Sequence, residues 1–157
     1  MTPTRRDLDR NRILTSDEAL TDQLGLLLER AINPRQLWLL FLDAGDRLTD
    51  SIMPCDDYPQ DPDEIVRVPD LGHVTNASVL AAHLGDLCTW TDAASVVLVW
   101  ERPGPPEFGS DELRWARAMS DACRHAEVPL RGQFRLHDDG VRILTPDDYL
   151  GEAAIAV

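Results

Sequence analysis

The stretch Ser95-Val96-Val97-Leu98-Val99-Trp100, followed by Arg102-Pro103-Gly104-Pro105-Pro106 and then Ser110-Asp111-Glu112-Leu113, decides the fold. An unbroken run of β-branched and aromatic residues, with no polar alternation, reads as a strand buried on both faces. The three prolines make the next segment a rigid loop. Ser110 is placed to cap a helix, with Asp111 and Glu112 in the first turn where the helix dipole favours acids. Leu113, Ala116, Met119, Ala122 and Cys123 then recur on one side, which predicts a helix to about Ala126.

Working outward from that unit, the same signals repeat. Thr15 or Ser16 can cap a helix whose apolar side is Leu20, Leu24, Leu27, Leu28 and Ala31, and Asn33-Pro34 stops it. Gln36 to Leu42 is a second continuous apolar run, ending in the turn Asp43-Ala44-Gly45-Asp46, with Arg47 to Met53 returning as a hairpin strand. Pro54 to Asp63 is a loop rich in proline and aspartate. Glu64 to Val68 reads as a short strand, and a helix begins at Thr75 or Asn76 with Val79, Leu80, Ala82, His83 and Leu87 on its inner stripe. Val128 to Leu136, the turn His137-Asp138-Asp139-Gly140, and Val141 to Leu144 make a closing hairpin. Helices interleaved with apolar strands predict an α/β or α+β sandwich, a mixed β-sheet flanked by helices. The expected organisation is a polar arm over 1–15, one domain over 16–144, and a tail over 145–157.

The chain has 157 residues, ample for one core. It carries 28 acidic and 15 basic residues for a net charge of -13, and every basic residue is arginine. The all-arginine usage fits a GC-rich coding sequence. The acidity argues against a duplex nucleic-acid footprint and against an anionic membrane surface, and it favours a basic partner if any. Cys55, Cys88 and Cys123 form no CxxC pair, which fits a reducing cytoplasm. No apolar run approaches the roughly 18 residues of a membrane span. Met1 to Asn11 is polar with both charge signs, unlike a secretory signal.

The strand–loop–helix over 95–126 resembles the JAB/MPN metalloprotease-like fold of the cytidine deaminase-like type, and within it the RadC-type domain of bacteria. That family carries His-x-His at a strand end, seven residues, a serine, two residues and an aspartate. On this sequence the two histidines fall on Trp100 and Arg102, the spacer on Pro103 to Gly109, the serine on Ser110 and the aspartate on Leu113. The first hairpin of the family resembles Leu39 to Asp43 followed by Arg47-Leu48, and its catalytic glutamate falls on Arg35. Its closing hairpin resembles Val128-Pro129-Leu130 followed by Asp139-Gly140, and an Asp-His pair there falls on Gly132-Gln133. The resemblance covers about residues 35–144. Spacing and apolar pattern agree, whereas the diagnostic residues differ.

The resemblance implies a catalytic zinc with three protein ligands and an activated water. Tryptophan has only a donor N–H, arginine is a permanent cation where a dication would sit, and leucine has no donor atom. Arg35 cannot act as a base at neutral pH. No catalytic residue, metal ligand or cofactor is therefore expected, and Arg35, Trp100, Arg102, Ser110 and Leu113 mark a degenerate site. Arg102 is expected to pair with Asp111 or Glu112. Trp100, Pro103, Pro105, Pro106 and Phe108 either present a rigid apolar surface to a partner or plug the vacated metal pocket with their bulky members.

His73, His83, His125 and His137 lack the spacing of a zinc helix and are expected as surface or packing residues. Cys88 and Cys123 are expected as buried inert thiols. The carboxylates next to Cys55 should raise its pKa. Asp56, Asp57, Asp61, Asp63 and Glu64 do not match an EF-hand and read as a solvated acidic loop.

The leading expectation is a non-catalytic RadC-like domain acting as a protein-binding or scaffold module, with a protein partner or a second copy of itself. The alternatives are a hydrolase with a displaced metal site (His73 or His83 with the acidic loop) or a Ser110-based site, and a DNA-associated role against which the net charge speaks.

Overall fold

A computed structural model describes residues 11–145 and Asp148. Most of the expected arm and tail lies outside the described residues. The element order is α1 (Asp17–Leu28), β1 (Gln36–Leu42), β2 (Leu48–Cys55), β3 (Ile65–Val68), β4 (Gly72–Thr75), α2 (Asn76–Thr91), β5 (Ser95–Glu101), α3 (Ser110–His125), β6 (Leu130–His137) and β7 (Gly140–Ile143).

Five strands form one mixed sheet in the order β2-β1-β5-β6-β7. The pairs β1–β2, β1–β5 and β6–β7 are antiparallel, and β5–β6 is parallel. A parallel pair needs a long crossover, which α3 supplies. The two unbroken apolar runs are the neighbouring strands β1 and β5, at the interior of the sheet. There both faces must be apolar, and Leu37, Phe41, Leu98 and Trp100 point one way while Leu40, Leu42, Val97 and Val99 point the other. The first set packs with Ala81 and Leu84 of α2 and with Trp115 and Met119 of α3. The second packs with Leu20 and Leu24 of α1 and with Phe134 and Leu136 of β6. The fold is thus a mixed α/β sandwich, as the alternation of patterns implies.

Several local expectations change. Leu14, assigned to the polar arm, is only 1% exposed; it joins the α1-side core, and its N–H bonds to the Asp46 carbonyl. β4 forms over a segment with no strand signal of its own. It pairs with β3 in a separate hairpin, with Ile65 opposite Thr75 and Val68 opposite Gly72, and Gly72 supplies the positive φ of 77° that the connecting turn needs. α2 starts as expected, the Thr75 hydroxyl accepting the Ser78 N–H. α3 does not: Gly109 is its N-cap, no side-chain cap bond forms, and Ser110 is the first helical residue. A Cβ at Gly109 would stand 2.7 Å from both Arg102 Nη2 and Glu112 Oε2, so the cap position lies beneath that pair and favours glycine.

Candidate functional site

The C-terminal end of β5 delivers three consecutive residues to different places, because strand side chains alternate between faces. Trp100 is fully buried on the α2/α3 side. Its ring meets Tyr58 edge-on at 5.4 Å and Trp115 at 6.0 Å, and Tyr58 meets Trp115 at 5.4 Å. Its Nε1 donates to Gln133 Oε1 at 2.8 Å. Gln133 Nε2 in turn donates to the Ala116 carbonyl and to Ser120 Oγ. Trp100 on β5 and Gln133 on β6 are thus joined by one hydrogen bond.

Arg102 leaves the strand end toward α3, and its Nε pairs with Glu112 Oε1 at 3.2 Å. The expectation of a carboxylate partner resolves to Glu112. The same oxygen takes a second cation: Arg135 Nη1 donates to it at 2.9 Å. Arg135 is 0% exposed. Its Nε and Nη2 both donate to the Pro105 carbonyl, which ties the proline loop down from beneath. Burial pushes the Arg135 guanidinium below its ordinary value, and Arg102 adds to this while Glu112 opposes it. Gly104 sits at a φ of 129°, open to glycine, and its N–H bonds to Asp138 Oδ1.

Glu101 faces the opposite side and is 2% exposed. Its Oε2 accepts the Ile32 and Asn33 backbone N–H groups at 2.7 and 2.6 Å, and its Oε1 accepts Trp38 Nε1 at 2.7 Å and Asn33 Nδ2 at 3.0 Å. Burial alone would raise its pKa, but these donors together hold the carboxyl below its ordinary value.

Arg35 is fixed rather than free. Its guanidinium lies 3.5 Å over the Tyr58 ring, and it donates to the Tyr58 and Pro59 carbonyls at 2.6 and 2.9 Å. Trp115 Nε1 donates to that same Pro59 carbonyl. Arg35, Tyr58, Arg102, Asp111, Glu112 and Trp115 border one cleft of about 110 Å³.

Of the residues singled out in the sequence, Arg35 and Arg102 border the cleft and Trp100 and Leu113 lie in the α2/α3-side core. Ser110 is exposed, and among the described residues no histidine is hydrogen-bonded to it. The proposed partner surface needs correction. Trp100 and Phe108 are buried because they pack into the α2/α3-side core; Pro103 and Pro105 are exposed and Pro106 is half-buried.

The remaining expectations fall out as follows. Cys88 and Cys123 are buried in the α2/α3-side core, and burial pushes the Cys123 thiol up to about 11. Burial, then Asp57 and Asp56, raises the Cys55 pKa against the pull of Arg35. His83 is exposed instead of lying on the inner stripe of α2, since Ala81, Leu84 and Leu87 take that side. His137 is buried, accepts the Asp139 N–H at its Nδ1, and is lowered in pKa by burial. The acidic loop is partly used by the fold: Asp61 pairs with Arg114 at 2.8 Å and caps the Asp63 N–H. His73 and His83 are not gathered with it, and among the described residues no three His, Cys, Asp or Glu side chains form a metal-binding group. No helix among the described residues is long and apolar enough to cross a membrane.

Sequence reasoning missed Tyr58, Glu101 and Arg135; Gln133 entered it only as a position aligned with a family histidine. Tyr58 had no signal in a polar loop. Arg135 alternates with Phe134 and Leu136 as an outward residue would, so only the loop folded over it makes it interior.

No protein-family model matches the sequence, and no curated protein matches it.

Proposed function

We propose that this chain is a degenerate RadC-like domain of the JAB/MPN type that has lost its metal site and works as a protein-binding or scaffold module. The observation that carries this reading is the convergence of Arg35, Trp100, Arg102 and Leu113 at one end of the sheet. These residues were aligned by spacing alone, from segments as far apart as β1 and α3. Convergence is what a retained framework with replaced ligands requires. The replacements are also engaged in other work. Arg35 holds the Tyr58 loop, Trp100 is bound to Gln133, and Arg102 and Arg135 share Glu112. A guanidinium has no lone pair to offer a metal ion, and Arg35, Arg102 and Arg135 all bring positive charge to this end of the sheet.

Metal analysis of the purified chain after exposure to zinc tests the chemistry. The expected result is no stoichiometric zinc, and one tightly held zinc per chain would overturn the reading. The register is tested by reversing it: Arg35→Glu with Trp100→His, Arg102→His and Leu113→Asp rebuilds the pattern of the family. A folded variant that takes up one zinc supports the JAB/MPN assignment, and a folded variant that takes up none removes it. Sedimentation of the parent chain decides whether the partner is a second copy.

A further inference from the structure

We infer that protonation of His137 releases the β6–β7 turn and, through that turn, the proline loop between β5 and α3. The inference is independent of the metal question, because it concerns how the loop is held and not what the chain binds.

The loop is tied down at two neighbouring residues. Gly104 donates its N–H to Asp138 Oδ1 at 2.9 Å, and its carbonyl accepts the Asp138 N–H at 3.2 Å. The next carbonyl, that of Pro105, accepts Nε and Nη2 of Arg135. The first tie depends on the shape of the turn. His137 and Gly140 are paired across the hairpin, with Asp138 and Asp139 between them. Inside the turn the Asp139 N–H is donated to His137 Nδ1 at 3.2 Å. Asp138, the residue that grips the loop, thus stands between the donor and the acceptor of that bond. The His137 carbonyl accepts the Ala31 N–H at 2.8 Å. Its backbone is therefore anchored to the α1–β1 connection while its ring shapes the turn.

A ring nitrogen that accepts a hydrogen bond carries no proton. Protonation places an N–H on Nδ1, opposite the Asp139 N–H, and two donors make no bond. The imidazolium attracts the carboxylates of Asp138 and Asp139 instead. A carboxylate of Asp138 drawn to the ring leaves the Gly104 N–H, and the loop keeps only its tie to Arg135.

The surroundings set when this happens. Arg135 on β6 and Arg142 on β7 disfavour the imidazolium, whereas Asp139 and Asp138 favour it. Glu29 and Arg30, just after α1, border the same surface as Asp138 and Asp139. Glu107 of the loop acts on Arg135. Burial and then Arg135 hold the imidazole below its ordinary value. The folded chain thus keeps the ring neutral at neutral pH. As the pH falls through the ordinary histidine range the unfolded chain takes up the proton first, so the contribution of His137 to stability declines. The folded chain takes up the proton at its lower value, and there the turn opens.

The test follows the His137 ring and the Gly104, Asp138 and Asp139 amides of the full chain by NMR from about pH 7.5 to about pH 5, the range in which histidine changes charge. Hydrogen exchange is corrected for its intrinsic pH dependence. The expected result is a loss of protection at all three amides of about tenfold, the worth of one hydrogen bond, with the midpoint of the ring titration. His137→Gln supplies an amide oxygen that accepts the Asp139 N–H and takes no proton, so its protection should stay level across the range. A ring that titrates while the three amides keep their protection overturns the inference, as does a ring that stays neutral throughout or an equal loss in folded His137→Gln. If that variant does not fold, the parent chain still decides: amide and ring midpoints more than about one pH unit apart, a difference of about 1.4 kcal/mol, overturn it.

Discussion

Glu101 and Glu112 are both more than nine-tenths buried, near the same end of the sheet but on opposite faces, and they are stabilised by opposite means. Glu101 is surrounded by neutral donors: two backbone N–H groups, an asparagine amide and an indole. Glu112 is held by two guanidiniums. The neutral arrangement spreads the charge of Glu101 over fixed dipoles and ties the α1–β1 connection to the sheet. The ionic arrangement pairs Glu112 with one fully buried guanidinium and one half-exposed one. The first joins distant segments through neutral donors, the second through opposite charges.

The sharpest way to break this comparison is to remove the deeper cation. Arg135→Met leaves Glu112 buried with a half-exposed partner and frees the proline loop. It should cost about 3–5 kcal/mol, the usual consequence of uncoupling a buried pair, measured by urea unfolding at neutral pH. A loss under about 1 kcal/mol, the range of exposed pairs, would show that Arg102 alone suffices for Glu112.

Glu101→Gln tests the neutral end. Its amide turns a donor toward groups that need an acceptor, and it should cost about 2 kcal/mol by the same measurement. A near-neutral result would mean that the four donors find water.

Acid sharpens the contrast further. The carboxyl of Glu101 is held below its ordinary value, so it stabilises the fold above the ordinary carboxylate range. That contribution is lost as the pH falls through its lowered folded value. Unfolding free energies followed from pH 7 downward, on a scale of about 1.4 kcal/mol per pKa unit, should therefore fall less steeply in Glu101→Gln than in the parent chain. Parallel curves would assign the acid sensitivity to other groups, Asp148 among them, which Arg142 and Thr145 also hold low.

The smallest effect belongs to Arg102→Ala. Half-exposed and paired through one nitrogen, Arg102 should contribute less than about 1 kcal/mol to stability. A larger loss would make it part of the framework that holds Glu112.

Much of the architecture was legible because burial writes itself as apolar periodicity. β1 and β5 lack alternation since both faces of an interior strand are covered, and the helical stripes of α1 and α3 name their own inner sides. β4 was not legible: Gly72-His73-Val74-Thr75 contains one aliphatic residue, and its strand form depends on pairing with β3. The cap of α3 was misplaced by one residue because Ser110 satisfies the local rule, while the Arg102–Glu112 pair lying over Gly109 settles the matter. Leu14 looked like part of a polar arm because a single leucine has no periodicity to reveal it.

The sequence by itself determined the layered α/β class and the pairing of Arg102 with an acid at the start of α3. These follow from side-chain chemistry and local spacing. Only the tertiary structure decided that Arg135 lies beneath the proline loop, that Trp100 and Phe108 are core and not surface, and that Arg35 and Arg102 border one cleft. Such facts depend on which distant segments are brought together, and charge balance inside a fold is a property of that convergence and not of any one segment.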